Sequence, residues 1–384
     1  MNDVLLADLV QPVRTRAGRQ TELPIYSVTK HRGFVPSLEY FSKQVFSREV
    51  SDYRLVEPGE FAYATIHLDE GSIGIAPERA LISPMYTVFR VNQTLVEPTF
   101  LLRFLKSPKA LTQYARLGKG TIHRRMAISL DALGTLRVPL PPIDGQRRIA
   151  AILDQADVLR AKRRQVLAHL DALTQSIFHD MFGDPGEWPD RWSMATIGDA
   201  AASVQYGTSA KAGAVGAWPI LRMGNITDRG RIDSTDLKYL DLADADISKY
   251  TVRRGDLLFN RTNSAEKVGK AAVVRDETPF ALAGYLVRVR MRPIADPEFV
   301  SAYLGSDHGR AIRRGMAKLA VNQANISASE LKKIPIALPP MDLQRRFARL
   351  VAKIESQRSR IEASLAKDGE LFEVLQSRAF SGQL

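Results

Sequence analysis

The stretch Leu140-Pro141-Pro142-Ile143-Asp144-Gly145-Gln146-Arg147-Arg148-Ile149-Ala150 recurs 198 positions later as Leu338-Pro339-Pro340-Met341-Asp342-Leu343-Gln344-Arg345-Arg346-Phe347-Ala348. Eight of the eleven positions are identical. Upstream at the same offset, Ile128-Ser129 matches Ile326-Ser327. A repeat of nearly 200 residues is too long for a solenoid, so it indicates a chain made of two similar units. We expect a pseudo-two-fold molecule in which each half presents the same surface once.

A long helix is predicted after each Pro-Pro pair, because proline suits the first turn of a helix and disfavours helix before it. Apolar residues then recur at alternating spacings of three and four, a heptad pattern. In the first unit the predicted seam is Ile149, Ile152, Ala156, Leu159, Arg163, Val166, Leu170, Leu173 and Ile177. In the second it is Phe347, Leu350, Ile354, Gln357, Ile361, Ser364, Asp368, Leu371 and Leu375, with Leu365 and Phe372 alongside. The segment Gly183-Asp184-Pro185-Gly186 ends the first helix.

The length of these helices decides how they pack. A helix of about 36 residues is roughly 55 Å long, too long to be buried inside a domain of about 150 residues. The pseudo-two-fold relation therefore predicts that the two helices pair as an antiparallel coiled coil. The polar seam positions Arg163, Gln357 and Asp368 are expected to fix its register or to face a partner protein. The alternative is that each helix covers only its own domain.

Composition excludes several classes of protein. The 384 residues contain no cysteine, which removes disulfides and thiolate chemistry and suits a reducing cytoplasm. No apolar run is long enough to span a membrane, and the first ten residues do not resemble a signal peptide. Lys and Arg total 54 against 42 Asp and Glu, a net charge of +12. We therefore expect a cytoplasmic protein with an anionic partner, nucleic acid before a membrane surface.

The remaining regions, 1 to about 139 and about 187 to 337, predict mixed α/β structure with many short strands. The segments 85–91 and 285–291 have the β-branched and aromatic composition of strands, and the second is predicted to point its arginines outward. The segments 100–115 and 299–318 are predicted to be helical. The fold class expected is α+β, with two similar α/β domains separated by two long helices that form an antiparallel coiled coil.

Ligand contacts are predicted in loops that combine basic, amide and hydroxyl side chains. Arg and Lys pair with guanine, Asn and Gln pair with adenine, and hydroxyls and Lys hold phosphates. The alternative for each loop is that its Asn, Gly and Ser serve only as turn residues. The predicted DNA-binding residues are Lys30, His31, Arg32, His67, Lys119, Arg124 and Arg125 in the first unit, and Tyr206, Thr208, Ser209, Lys211, Arg222, Asn225, Arg261, Asn263, Lys318, Asn322 and Gln323 in the second.

No catalytic or metal-binding motif is found in the sequence. Lys119-Gly120-Thr121 resembles the end of a phosphate-binding loop, but position 113 is Gln rather than the required Gly. Asp256 and Glu266-Lys267 resemble a nuclease cluster, yet the adjacent Glu and Lys would point apart on a strand. The six histidines never form HxH or HExxH. We expect a recognition protein with no active site, no metal and no cofactor of its own.

Together these features resemble the specificity subunit of a type I restriction-modification system. The supporting strings are the two Leu-Pro-Pro-x-x-x-Gln-Arg-Arg motifs that run into long helices, 219–226, 255–264 and the terminal Arg378-Ala379-Phe380-Ser381-Gly382-Gln383-Leu384. The first unit fits less well, with Thr65-Ile66-His67 where the second has Phe259-Asn260-Arg261. We interpret this difference as two units that read different bases.

The resemblance implies two target-recognition domains, at 1–142 and 183–340, a central long helix at 143–182 and a C-terminal one at 341–384. Each domain would grip one half of a bipartite double-stranded DNA site, with the helices as a ruler. It also implies two DNA adenine methyltransferase subunits and a restriction and translocase subunit, which would bring S-adenosylmethionine, ATP and Mg. The alternatives are a specificity subunit for a fused nuclease-methyltransferase, or a coiled-coil scaffold that binds no DNA.

Overall fold

The computed structural model describes residues 2–41, 46–47, 49–117, 127–320 and 323–384. It divides into two compact units. Unit 1 comprises Met1–Arg163 and Ser364–Leu384, and unit 2 comprises Arg164–Ala363. Each unit therefore combines one globular region with one segment from each long helix. The functional division into recognition domains and helices at 142, 182 and 340 stays a prediction.

Unit 1 contains ten strands and four short helices among its described residues, followed by the start of the first long helix. The strands are β1 (Asn2–Leu5), β2 (Val10–Val13), β3 (Ile25–Thr29), β4 (Gly33–Pro36), β5 (Arg54–Val56), β6 (Phe61–Ala64), β7 (Ile73–Ile75), β8 (Ala80–Ile82), β9 (Tyr86–Val91) and β10 (Arg137–Leu140). The helices are α1 (Ser37–Tyr40), α2 (Pro98–Leu105), α3 (Pro108–Leu117), α4 (Leu130–Gly134) and the long α5 (Ile143–Phe182).

The described part of unit 2 has twelve strands and five short helices, and contains the start of the second long helix. The strands are β11 (Met194–Thr196), β12 (Ala201–Tyr206), β13 (Trp218–Leu221), β14 (Lys238–Leu240), β15 (Leu257–Asn260), β16 (Thr262–Asn263), β17 (Ala271–Val273), β18 (Ala281–Leu282), β19 (Leu286–Met291), β20 (Lys318–Ala320), β21 (Gln323–Asn325) and β22 (Pro335–Ala337). The helices are α6 (Ile197–Ala200), α7 (Asp244–Tyr250), α8 (Pro297–Gly305), α9 (Asp307–Met316), α10 (Ala328–Lys332) and the long α11 (Met341–Ser381).

The two units repeat the same sheet plan. The four-stranded sheet β2-β9-β6-β7 of unit 1 corresponds to β12-β19-β15-β17 of unit 2. The mixed sheet β4-β3-β8-β5 corresponds to β14-β13-β18, and both contain one parallel pair, β3 with β8 and β13 with β18. A two-stranded ribbon precedes each long helix, β1 with β10 and β11 with β22. The duplication predicted from sequence and the α+β fold class are confirmed.

A buried acidic residue next to a strand arginine also repeats. Glu60 accepts two hydrogen bonds from Arg90, at 2.6 and 3.2 Å. At the matching place in unit 2, Asp256 accepts from Arg290 at 2.9 and 3.3 Å. Both carboxylates are only 2% exposed, so each ion pair compensates a charge that would be costly to bury alone. Arg290 is therefore the structural partner of Asp256.

The predicted outward orientation of the arginines on β19 is wrong for Arg288. This residue is 5% exposed, and its guanidinium donates to the carbonyl oxygens of Thr251 and, at 3.5 Å, of Ser248. The Asp256 carboxylate lies 3.9 Å from its Nε. A cation can enter the interior of a sheet when such acceptors surround it, and strand alternation alone does not reveal them.

Each predicted mid-domain helix is in fact two helices that meet at a serine. Ser107 separates α2 from α3, and its Oγ accepts from the N–H of Ala110 at 3.3 Å. Ser306 separates α8 from α9 in the same way, accepting from Gly309 N–H at 3.1 Å. A side-chain oxygen that satisfies the free N–H groups of a first turn starts a new helix at that point.

The long helices begin directly after Pro142 and Pro340, as predicted. The first ends at Phe182, and Gly183 follows with a left-handed φ of 73°, which favours glycine after a helix. The second ends at Ser381.

Within unit 1 the two long helices pack side by side and antiparallel. Arg160 lies over the ring of Phe372 at 4.6 Å, and Arg163 forms an ion pair with Asp368 at 2.5 Å. Leu153 shares one buried apolar cluster with Phe380 and with residues of the four-stranded sheet and α2. From Arg160 to Arg163 the chain advances along α5, while the contacted residue on α11 moves back from Phe372 to Asp368. The two helices are therefore antiparallel in this unit.

Unit 2 shows the same arrangement at the other ends of the helices. Phe178 and Phe182 pack on Phe347 with ring centroids 5.7 and 5.6 Å apart. Trp188 and Phe299 complete this buried aromatic cluster. The Arg358 guanidinium, 5% exposed at the side chain, pairs with Asp171. The predicted antiparallel pairing is confirmed within each unit, and both helix ends also enter the domain core.

The predicted heptad seam is wrong by one position in part of each helix. Leu159, Leu173 and Leu371 are 44%, 40% and 54% exposed, and Val166 and Gln357 are exposed too. Interior positions are taken instead by Arg358, next to Gln357, and by Phe372, which was predicted beside the seam. A search for apolar spacing passes over a buried charge such as Arg358, whereas the pair Arg163–Asp368 lies on the predicted seam.

Candidate nucleic-acid interface

In unit 2 the end of β12 and the segment after β15 bring two predicted residues into direct contact. The Arg261 guanidinium carbon lies 4.9 Å from the centroid of the Tyr206 ring. The Tyr206 hydroxyl accepts a hydrogen bond from the N–H of Ala328 at 2.8 Å. Arg261 is also held by its backbone, since its N–H donates to Tyr285 O at 3.0 Å and its carbonyl accepts from Ile326 N–H at 2.9 Å. The arginine is thus presented on a fixed aromatic platform.

Asn325 holds the same arginine from the other side. Its Oδ1 accepts from Arg261 Nη2 at 3.4 Å, and its Nδ2 donates to Thr262 Oγ1 at 3.0 Å. The Nε of Arg261 has no hydrogen-bond partner in the described part of the chain. Nη2 is therefore engaged by protein and Nε is buried, while Nη1, which makes no hydrogen bond to the described residues, is the donor left for a ligand.

A small three-stranded sheet, β16-β21-β20, carries three more predicted residues next to this arginine. Asn263 faces Ala324 across β16 and β21, and its Oδ1 accepts from Ser264 N–H at 2.9 Å. Lys318 and Gln323 lie on the β20–β21 hairpin and are exposed. Their polar ends can therefore reach an approaching ligand.

Lys318 is paired with a carboxylate of unusual acidity. Its Nζ lies 2.9 Å from Glu330 Oε1, and Glu330 also accepts from the Ser327 N–H at 2.7 Å in a capping box at the start of α10. The hydrogen bonds from Ser327 and the ammonium of Lys318 lower the pKa of Glu330 to about 2. The carboxylate therefore stays ionised and keeps Lys318 beside the sheet at neutral pH.

Two further predicted residues, Arg222 and Asn225, hold the neighbouring loop through hydrogen bonds within it. Asn225 is 4% exposed, and its Nδ2 donates to Asp233 O at 2.8 Å and to Asp236 O at 2.9 Å. Its Oδ1 accepts from the Arg222 N–H at 2.9 Å. The Arg222 side chain donates to the carbonyl and the carboxylate of Asp236, both at 2.9 Å. These contacts position the loop, which lines one wall of a cleft with Tyr285.

The remaining predicted residues of unit 2 follow β12 in sequence. Thr208 is buried, and its Oγ1 accepts from the Ala210 N–H at 3.1 Å. Ser209 and Lys211 are exposed. Asn260 ties this region to the Arg222 loop, because its Nδ2 donates to Met223 O at 3.1 Å while its buried Oδ1 has no partner among the described residues. The loops after β12, β13 and β15 thus meet at one end of the unit 2 sheets.

In unit 1 the described predicted residues lie on two separate loops. Lys30, His31 and Arg32 form the exposed turn between β3 and β4, and the Lys30 carbonyl accepts at 3.2 Å from Nζ of Lys106, which directly follows α2. His67 follows β6, is exposed, and has its Nδ1 3.7 Å from Glu70 Oε1. Lys119, Arg124, Arg125 and, in unit 2, Asn322 lie outside the described residues.

The turn of unit 2 that corresponds to the Lys30–Arg32 turn of unit 1 contains Gly230 and Arg231. Gly33 lies against β7 and Gly230 against β17, which are equivalent strands. In unit 2 this turn contacts the long helix, because Arg231 pairs with Glu355 at 3.1 Å and with Glu362 at 2.9 Å. The corresponding turn of unit 2 therefore packs on α11 and is not part of the Arg261 cluster.

Sequence reasoning singled out neither Tyr285 nor Asn325. Tyr285 is 53% exposed beside the cleft, and an exposed aromatic residue between a glycine and a strand was the available signal. Asn325 lies within a loop that the sequence marked, but only its contact with Arg261 identifies its role. No group of three or more His, Asp or Glu side chains in the described ranges is arranged to hold a metal. None of the helices in these ranges is long and apolar enough to cross a bilayer.

The fold and the site together define a duplicated α+β chain whose units each join strand-end loops to an antiparallel pair of long helices. No family model matches the chain. Residues over 76% of it are 24% identical to the type I restriction enzyme EcoKI specificity subunit of Escherichia coli K12, covering 67% of that protein. A putative type I restriction enzyme MjaX specificity subunit of Methanocaldococcus jannaschii is 33% identical over 44% of the chain and 41% of its own length.

A solved structure extends the comparison to the fold. The S subunit of a type I restriction-modification system from M. genitalium matches 99% of the chain and 96% of its own length, with a TM-score of 0.59 and 13% identity. At that identity the match concerns the fold alone. The resemblance to type I restriction-modification specificity subunits that the repeat predicted is confirmed.

Proposed function

We propose that the chain is the sequence-specific DNA-recognition subunit of a type I restriction-modification complex, with each unit reading one half of a bipartite site. The observation that carries the proposal is the Arg261 platform of unit 2, in which Tyr206 and Asn325 hold a guanidinium whose Nη1 makes no hydrogen bond to the described residues. A fixed arginine fork is the commonest reader of guanine in the major groove. The net charge of +12 supplies attraction to the phosphate backbone.

The surrounding residues have separate roles in this proposal. Lys318, Gln323, Ser209 and Lys211 are exposed around the platform and would contact phosphates or base edges. Arg222 and Asn225 would act through the loop that they hold, since Asn225 bonds to backbone groups of that loop and Arg222 donates to its Asp236. In unit 1 the residue that directly follows β6, as Arg261 follows β15, is Thr65, whose carbonyl accepts from the Ile128 N–H at 2.9 Å as that of Arg261 accepts from Ile326. The sequence match of His67 to Arg261 is therefore wrong by two positions, and His67 is proposed as a contact to the other half-site only because it is exposed on the same loop. The residues Lys30, His31, Arg32, Lys119, Arg124, Arg125, Asn263, Asn322 and Thr208 remain proposed contacts on the sequence alone.

The long helices would serve as the ruler and as the docking site for partners. Antiparallel pairing within each unit supports this role, because a paired helix resists bending more than a single one. The partners proposed are two DNA adenine methyltransferase subunits and a restriction and translocase subunit. S-adenosylmethionine, ATP and Mg would be bound by these partners, and this chain would be non-catalytic and act in the cytoplasm, where the DNA is.

The test is a binding experiment with the purified chain and labelled duplexes of random and selected sequence, repeated at several salt concentrations. A recognition subunit should lose affinity steeply as salt rises and should keep its preference for one sequence. Binding that shows neither property would support a scaffold without DNA. Methyl transfer by the isolated chain would contradict the non-catalytic role.

A fused nuclease-methyltransferase partner would be distinguished by isolation of the complex from cells. Separate methyltransferase and restriction polypeptides bound to the chain support the type I assembly. A single polypeptide with both activities would replace that part of the proposal.

A further inference from the structure

Unit 2 contains a cavity of about 140 Å³ whose wall is rich in cations. This is more space than one water molecule requires. Seven Arg or Lys side chains and four Asp or Glu side chains line it. Thr174 and Ser301, which carry hydroxyls, are among the residues that line the same cavity. The cavity is separate from the Arg261 platform, which shares no lining residue with it.

Most of the cations in this wall have a carboxylate partner. Lys270 Nζ lies 3.0 Å from Asp228, and Arg275 makes two hydrogen bonds to Glu298 at 2.6 and 2.7 Å. Arg231 pairs with Glu355 and Glu362, and Arg310 with Asp307 at 2.6 Å. Arg229 and Arg358 both pair with Asp171. These pairs account for six of the seven cations.

Arg313 is the exception. Its side chain is 6% exposed, and Nη1 donates to the carbonyl oxygen of Val268 at 3.0 Å. Its Nε has no hydrogen-bond partner, and no carboxylate in the described ranges lies within ion-pair distance of the guanidinium. Burial, together with the nearby cations Arg310 and Arg314, lowers the pKa of Arg313 to about 10, so it is still charged at neutral pH. A buried cation without a counter-charge is costly, so the Arg313 guanidinium favours the binding of an anion in this cavity.

The internal repeat supplies a natural comparison. Arg313 lies seven positions after the capping serine Ser306, and Tyr114 lies seven positions after the equivalent Ser107 in unit 1. Tyr114 is fully buried, and its hydroxyl donates to Leu105 O at 2.7 Å. Unit 1 therefore fills this place with a neutral side chain whose hydrogen bond is satisfied. The buried charge at the same place is a feature of unit 2 alone.

We infer that the cavity of unit 2 binds one phosphate group, with Arg313 as its counter-charge and Ser301 and Thr174 as hydroxyl donors. A phosphate oxyanion offers several acceptors and enough charge to engage an arginine that has no acidic partner. The source of the group is either free phosphate or a phosphate of the DNA backbone, and the test separates the two. The inference does not depend on the proposed DNA function, because its first arm uses the chain without DNA.

In the first arm the melting temperature of the full chain is followed while inorganic phosphate replaces chloride at constant ionic strength. We expect a saturable rise for the natural chain. The variant R313Y copies unit 1 and should lose the rise, with phosphate affinity lowered about tenfold or more. The variant R314Y makes the same exchange at the exposed neighbour and should keep it.

S301A retains every charge and removes one hydroxyl from the wall, so it tests the cavity without altering Arg313. It should weaken phosphate binding severalfold. An equal response of the natural chain to phosphate and to chloride would overturn the inference, as would an unchanged phosphate response in R313Y.

The second arm adds a duplex that the chain binds. If the group belongs to the DNA backbone, phosphate should no longer raise the melting temperature of the DNA complex, and R313Y should reduce the salt slope of DNA binding by about 1. If the group is free phosphate, the rise should persist in the complex and the slope should not change. Either result supports the phosphate site and identifies its source, whereas loss of DNA binding in the natural chain would count only against the proposed function.

Discussion

Gln146 and Gln344 make the same three hydrogen bonds in the two units. Gln146 Oε1 accepts from Glu97 N–H at 2.8 Å, and its Nε2 donates to Leu95 O at 3.0 Å and Pro141 O at 2.9 Å. Gln344 Oε1 accepts from Asp296 N–H at 2.8 Å, and its Nε2 donates to Ile294 O and Pro339 O at 3.3 and 2.7 Å. The glutamine of the repeated Pro-Pro-x-x-x-Gln motif thus joins the start of each long helix to its domain by three hydrogen bonds, which we call the glutamine lock.

Replacing either glutamine with alanine should destabilise its own unit. Both side chains are buried, at 1% and 0% exposure, and the change leaves one N–H and two carbonyls without partners. We expect Q146A and Q344A each to lower the free energy of unfolding by about 1 to 3 kcal/mol, measured by urea denaturation. Q357A replaces an exposed glutamine on α11 and should change it by less than about 0.5 kcal/mol. Equal effects in all three variants would refute the lock.

If Arg261 reads a base, its positive charge and its planar fork should affect different properties of DNA binding. R261K keeps the positive charge but removes the planar fork, so the salt slope of DNA binding should stay the same while discrimination at one base position falls by about 1 to 3 kcal/mol. Sequence selection from a random duplex library would measure it. The control R254K changes an exposed arginine that pairs with Glu277, and it should leave the selected sequence unchanged. A selected site that is identical in R261K would rule out base reading by this residue.

The ion pair between Arg163 and Asp368 predicts a measurable coupling inside unit 1. The side chains are 31% and 15% exposed, so D368N should cost about 1 to 3 kcal/mol, below the 3 to 5 kcal/mol typical of fully buried pairs. The charge exchange R163D/D368R should recover part of that loss. A double-mutant cycle from urea denaturation measures the coupling. A coupling energy near zero would show that the pair does not fix the register.

The capping box at Glu330 predicts a pH dependence. Its pKa is lowered from 4.5 to about 2, so its ionised form stabilises the folded state above pH 4.5, and this contribution is lost as the pH falls towards 2. E330Q should therefore be less stable than the natural chain at pH 6, and the difference should shrink between pH 4.5 and 2. Because the carboxylate lies partly in solvent, we expect about 1 kcal/mol or less. Denaturation of both proteins across this range checks it, and a gap that is constant with pH would contradict the assignment.

Sequence patterns predicted the helices and strands that are determined by residues close together in the chain. The Pro-Pro pairs place the starts of both long helices, and strand composition places β9 and β19 to within one residue. Patterns failed where a distant residue decides. Arg288 is buried because the carbonyls of Ser248 and Thr251 accept its hydrogen bonds, and Leu159 is exposed because its neighbour Arg160, which lies over the Phe372 ring, takes the place between the helices.

The sequence predicted which loops form the candidate site, but not which side chains of those loops contact one another. The sequence marked Tyr206 and Arg261 separately, yet they are 55 positions apart and no spacing rule predicts that their side chains stack. The sequence also could not distinguish Asn225, which is buried and hydrogen-bonded within its own loop, from Gln323, which is exposed. Which amide is free depends on tertiary hydrogen bonds.

The most direct measurement of the central claim is methylome sequencing of cells that carry the chain with its methyltransferase, compared with cells that carry a matched helix deletion. The deletion removes one heptad from each long helix, residues 161–167 and 364–370, and with them both members of the Arg163–Asp368 pair. Seven residues of helix span about 10 Å, or about three base pairs of duplex. We predict two unchanged half-sites with a shorter spacer. Half-sites of altered sequence, or a spacer that does not respond, would contradict the account.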